Sequence, residues 1–185
     1  MKETASSSLI ISHLLAIILL CICPTNARPV VKISESMLNF ICSKTEDPAF
    51  CMQALKSDPR TATADLQGLA QVSIDLANAT AAGAYPLIQT QLHQTKDPAL
   101  KQQYTECLDS YEEAIDDIEF AREKWSSKDY IALNQAASAC MTDATECQDA
   151  ITTDDQAFSL PEETKKLFQL CKITLLISGS LMQTN

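Results

Sequence analysis

Cysteines and carboxylates are the side chains in this sequence that recur often enough, and at the right spacing, to do chemistry. Beyond an apolar N-terminal stretch stand six cysteines: Cys42, Cys51, Cys107, Cys140, Cys147 and Cys171. Thiolates can hold metal, attack substrates or oxidise in pairs. Metal fits poorly, because no Cys-x-x-Cys occurs among the six and His93 is the only histidine beyond residue 27. In an oxidising compartment an even set reads as disulfides, although spacing alone does not choose among the pairings. The carboxylates crowd into ECLDSYEEAIDDIEFARE, where Glu106, Asp109, Glu112, Glu113, Asp116, Asp117, Glu119 and Glu123 face a single cation, Arg122. Such a run is commonly a solvated helix face. Like charges three or four residues apart repel, so a partner carrying positive charge would relieve them and make this an acidic docking surface.

Catalysis finds little support. Hydrolytic triads and most acid–base sites need a histidine or comparable base, and His93 lies in the Gln-rich segment QTQLHQT, where a solvated role is expected. Glu-x-x-His pairs for a di-iron centre and glycine-rich phosphate loops are both missing from the sequence. The chain therefore reads as a non-enzyme that needs no cofactor and no metal.

The compartment follows from the N-terminus. Lys2 precedes the apolar run LIISHLLAIILLCIC, Leu9 to Cys23, and then Pro24 and the small-residue exit Thr25-Asn26-Ala27. That layout predicts a secretory signal peptide over residues 1–27. At about 15 residues the run is too short to span a bilayer. A mature chain of 28–185, secreted and without a membrane segment, is expected; 185 residues less 27 leaves 158, enough for one domain. With 14 Lys and Arg against 24 Asp and Glu the formal net charge is −10, which disfavours nucleic acid as a partner. Asn78-Ala79-Thr80 is an N-glycosylation sequon.

Helices must position these groups. Glycine is scarce, strand-like alternation is never sustained, and the recurring signal is helical. A short segment near Lys32 to Ser43, a turn at Thr45 to Pro48 and a second short helix to about Lys56 form a hairpin. After SDPRTAT come four apolar stripes. The first, Asp65 to about His93, carries Leu66, Leu69, Ser73, Leu76, Thr80, Ala84, Leu87 and Leu92, and Pro86 is expected to kink or shorten it. The second opens at Asp97-Pro98, a cap followed by proline at the first helical position, and places Tyr104, Cys107, Tyr111, Ile118 and Trp125 inward. A turn over Ser126 to Asp129 leads to the third, with Tyr130, Leu133, Ala137, Cys140, Ala144 and Cys147. Beyond a loop at Thr152 to Leu160, the fourth starts at Pro161 and carries Leu167, Cys171, Thr174, Ile177 and Leu181. Four amphipathic helices joined by short loops predict an all-α, antiparallel up-and-down four-helix bundle, residues 61–185, preceded by an N-terminal helical hairpin, residues 28–60. Cys140 either pairs with Cys171 or stays a buried thiol.

Taken together, these residues resemble the plant invertase and pectin methylesterase inhibitor family over nearly the whole mature chain. The resemblance rests on Cys42, Thr45, Pro48 and Cys51, on ADLQGLA, on ECLDSYEEAIDDI, on Lys128 to Tyr130 before AASAC, and on Thr145 to Asp149. The wording of SDPRTATADLQGLA and KDPAL is most similar to the pollen-allergen branch of candidate invertase inhibitors. The resemblance implies bonds matching Cys42–Cys51 and Cys107–Cys147, a hairpin that packs beside the bundle or exchanges with a second copy, and a secreted inhibitor of the cell wall. It implies helix surfaces laid across a pectin methylesterase cleft, or a Pro-Lys-Phe tripeptide placed in an invertase site. Tyr130-Ile131-Ala132 stands at the tripeptide's position, which ranks pectin methylesterase ahead of invertase. Expected contacts are Glu106, Glu113, Asp117, Lys128, Tyr130, Thr142, Asp143 and Glu146. A rival reading is a non-inhibitory, allergen-type bundle that holds an apolar ligand between its helices.

Overall fold

The structure is a computed structural model and describes residues 32–151 and 160–184. The expected signal peptide and the loop before the last helix lie outside these residues. Six α-helices are found among them: α1 (Glu35–Cys42), α2 (Pro48–Ser57), α3 (Leu66–Gln94), α4 (Pro98–Ser127), α5 (Tyr130–Ala150) and α6 (Leu160–Thr184), with a 3-10 turn at Pro59–Thr63. Each of the first five starts on a side-chain cap that meets an otherwise orphan N–H. Ser34 accepts from Met37, Asp47 from Phe50, Asp65 from Gly68, Asp97 from Ala99 and Asp129 from Ala132. Such caps stabilise by about 1 kcal/mol each.

The four long helices form an antiparallel ring in which α3 packs on α4, α4 on α5, α5 on α6 and α6 back on α3. Connections as short as Lys128-Asp129 permit no other placement of consecutive helices. The α1–α2 hairpin rests on α3 and α6, and Ile33 N–H donates to Ala64 O at 2.7 Å, tying the hairpin's entry to the start of α3. Disulfides join Cys42 to Cys51 within the hairpin, Cys107 to Cys147 between α4 and α5, and Cys140 to Cys171 between α5 and α6. The open choice at Cys140 thus resolves to a bond.

Leu69, Tyr111, Leu133, Leu167, Ile173 and Ile177 fill the interior. Some of the polar groups there pair across helices: Thr174 donates to Ser73 Oγ at 2.9 Å, and the half-buried Asn134 donates from Nδ2 to Leu175 O and Ser178 Oγ, both at 2.8 Å. A cavity of about 10 Å³ lined by Ile74, Ile118 and Cys140 has room for about one water and none for an apolar ligand.

The first long helix keeps its expected span, running to Gln94, so Pro86 does not shorten it. Pro86 and Ala82 are both exposed, so the carbonyl that loses its donor faces water, and Gly83 has no neighbour within 4 Å of the place its Cβ would occupy. The inward stripe of that helix is corrected: Leu87 is 44% exposed and Ile88 is buried in its place.

Candidate functional site

Helical spacing places Glu106, Asp109, Glu113 and Asp117 along one edge of α4, and Asp143, Glu146 and Asp149 along the facing edge of α5. Where the two edges meet, Glu106, Asp109, Ser110, Glu113, Glu146, Asp149 and Ala150 line an open groove. No Lys or Arg occurs on α4 between Gln102 and Ala121, nor anywhere on α5. The one cation inside the acidic run, Arg122, turns away: its Nη2 donates at 3.0 Å to Asp75 of α3, which also accepts from Arg60 at 2.9 Å. The other side of the run is used internally as well, Tyr85 OH donating to Glu112. Groove carboxylates therefore face solvent with no internal counter-charge from the two helices that carry them.

Beside Glu113 and Glu146 of the groove lies a carboxyl pair, Asp143 and Asp117. Asp143 is 6% exposed, and its Oδ2 meets no hydrogen-bond donor among the described residues. Burial, then the charge of Asp117 and Glu113, a hydrogen bond to Asp117 and the charge of Glu146 push the Asp143 carboxyl up to about 7. Asp117 is raised too, chiefly by burial, while its hydrogen bond with Asp143 works in the opposite direction. Oxygens of Glu113, Asp143 and Glu146 all lie within 4.8 Å of one another.

The remaining expected contacts fall elsewhere. Lys128 and Tyr130 sit at the α4–α5 turn, about 20 Å along α5 from Asp143. Lys128 adopts φ 59°, closing α4 while Asp129 N–H donates to Lys124 O at 3.0 Å. Tyr130 is only 7% exposed; it anchors the start of α5 in the core and offers no free contact surface, whereas its neighbour Ile131 is 65% exposed. Thr142 is exposed and donates back to Ser138 O. Asn78 is half-buried in the middle of α3. Asp109, named in the acidic run, and Asp149 join the groove although neither was among the expected contacts; their spacing from Glu106 and Glu146 was the available signal.

The fold and its surface define a disulfide-stapled helical bundle with an acidic groove on its α4–α5 face. The chain belongs to the plant invertase/pectin methylesterase inhibitor family, whose model matches residues 36–177. The family is one of enzyme inhibitors, not catalysts. A pectinesterase inhibitor of Actinidia deliciosa is 42% identical over 177 residues, covering 95% of each chain. A Platanus acerifolia protein whose name makes it a candidate invertase inhibitor is 34% identical over 133 residues, 71% of this chain and 74% of that one. Among solved structures, a mutant form of a pectin methylesterase inhibitor from Arabidopsis superposes with a TM-score of 0.71 at 33% identity, covering 77% of this chain and 95% of that chain.

Proposed function

We propose that this chain is a secreted inhibitor of a plant cell-wall carbohydrate-active enzyme, pectin methylesterase first, which it blocks by covering the substrate cleft in a stoichiometric complex. The observation that carries this reading is the α4–α5 groove, where Glu106, Asp109, Glu113, Glu146 and Asp149 stand along a stretch with no Lys or Arg between Gln102 and Ala121 of α4 and none on α5. Such a face favours a partner of positive surface charge and steers its approach. Identity of 42% to the Actinidia deliciosa pectinesterase inhibitor supports the choice of enzyme. Invertase is the second reading, favoured by the Platanus acerifolia relative.

Secretion to the apoplast rests on the Leu9 to Cys23 run and the exit at Ala27, and the three disulfides suit an oxidising compartment. Glycosylation at Asn78 would have to precede folding, because the sequon is now helical.

The test is a paired titration against a plant pectin methylesterase and a wall invertase at about pH 5, where ordinary surface carboxylates are still largely ionised. Loss of pectin methylesterase activity at near-equal stoichiometry is the expected result. Loss of invertase activity alone moves the target to the second reading, and loss of neither overturns both.

A further inference from the structure

We propose that Glu113, Asp143 and Glu146 form a binding site for a calcium-class divalent cation at the seam between α4 and α5. Their carboxylate oxygens already lie within 4.8 Å of one another. Oxygens bound on opposite sides of one calcium ion at 2.3–2.6 Å stand about that far apart. The donor set is all carboxylate, with neither thiolate nor imidazole, which suits a hard cation over zinc or copper. Glu113 and Glu146 are exposed, so the site has an entry from solvent and room for water to complete the coordination.

An acidic cluster alone would be only a charged surface. What distinguishes this one is Asp143, which is more than nine-tenths buried, contributes an oxygen to the cluster, and has an Oδ2 with no donor among the described residues. Asp143 shares a hydrogen bond with Asp117, yet its Oδ2 is left over, and a buried polar atom without a partner carries a desolvation cost that folded proteins rarely leave unmatched. The groups that act on it electrostatically are Asp117 and Glu113 from α4 and Glu146 from α5, all of like charge. Neither helix supplies a Lys or Arg along this stretch. A divalent ion would offset most of the cluster's negative charge, bring a cation to the buried Asp143 carboxyl and tie the two helices together at a second point beside the Cys107–Cys147 bond.

The experiment is calorimetric titration of calcium chloride into the purified, disulfide-bonded protein at about pH 8, where carboxylates are ionised, in 0.1 M sodium chloride to screen diffuse attraction. No enzyme is present, so the result is independent of the proposed inhibition. One saturable site with a Kd on the order of 0.1–1 mM is expected. The double variant Glu113→Gln/Glu146→Gln should weaken binding at least about tenfold. Glu106→Gln, altered in the same groove but outside the cluster, should bind as the parent does. Thermal melts of each variant establish that it is folded. Heats that never saturate, or equal binding by the parent and the double variant when folded, would mean diffuse screening only and overturn the site.

Discussion

The hydroxyls of Tyr111 and Thr164 meet 3.1 Å apart in the interior, linking α4 to α6 across the diagonal of the bundle. Burial pushes the Tyr111 phenol up to about 12, with the Thr164 hydrogen bond acting the other way. The unfolded chain loses this proton near the ordinary value of about 10, so between the two values the folded state binds one proton more. Stability from this group is complete below about pH 10 and is lost as pH rises through about 12. In a phenolate absorbance titration Tyr111 should ionise only near pH 12, together with unfolding. Tyr111→Phe should remove that late step and cost about 1 kcal/mol in a urea midpoint at neutral pH. The same titration curve above pH 11 in the parent and in Tyr111→Phe would contradict the buried pair.

Much of this architecture was legible because it is written in local chemistry. Asp65, Asp97 and Asp129 announce helix starts through short-range caps, and the inward stripes of α4, α5 and α6 follow from spacing alone. Long-range facts were less accessible. Arg122 sits among eight acids of its own helix, yet its partner is Asp75, 47 residues away. Cys140 and Cys171 could be matched only once α5 and α6 were known to be neighbours, with Cα atoms 6.2 Å apart. Tyr130 carried two readings, inward stripe and contact, because an amphipathic side chain suits a core edge and a contact surface equally well, and it lies buried. The groove itself combines both cases, each helix's acidic edge being readable and their meeting not.

The Cys140–Cys171 bond closes a sequence separation of 31 between two helices. Loop entropy in the unfolded chain gives it a stabilisation of about 4 kcal/mol, against about 3 for the separation of 9 between Cys42 and Cys51. Cys140→Ala/Cys171→Ala should therefore lower the urea unfolding free energy by more than Cys42→Ala/Cys51→Ala does. All four cysteines are buried, so a loss of packing is common to both variants and the ranking is left to chain entropy. Equal losses, or a larger loss from the hairpin pair, would show that native packing and not chain entropy sets the ranking.

Lys128 is the only non-glycine residue with positive φ among the described residues. A side chain there costs roughly 1 kcal/mol, which glycine avoids. Glycine also enlarges the unfolded ensemble, offsetting part of the gain. Lys128→Gly should raise the melting temperature by about 1–3 °C without altering the helical circular dichroism. A lower melting temperature would mean that the lysine side chain contributes to the turn more than its backbone strain costs.

Glu106 and Glu113 are exposed on the groove, whereas Glu119 is exposed on the same helix outside it. If the groove receives a positively charged enzyme surface, reversing groove charges places like charge against like at the contact, which costs several kcal/mol. Glu106→Lys/Glu113→Lys should weaken inhibition of pectin methylesterase at least about tenfold, with most of the loss at low salt in the association rate. Glu119→Lys, which changes net charge on α4 but not in the groove, should stay within about threefold of the parent under the same screening. Parallel weakening by both variants would assign the effect to overall charge, and full inhibition by the double variant would remove the groove from the interface. The double variant relieves carboxylate repulsion along α4, so it should fold at least as well as the parent, and a lost inhibition would report on binding.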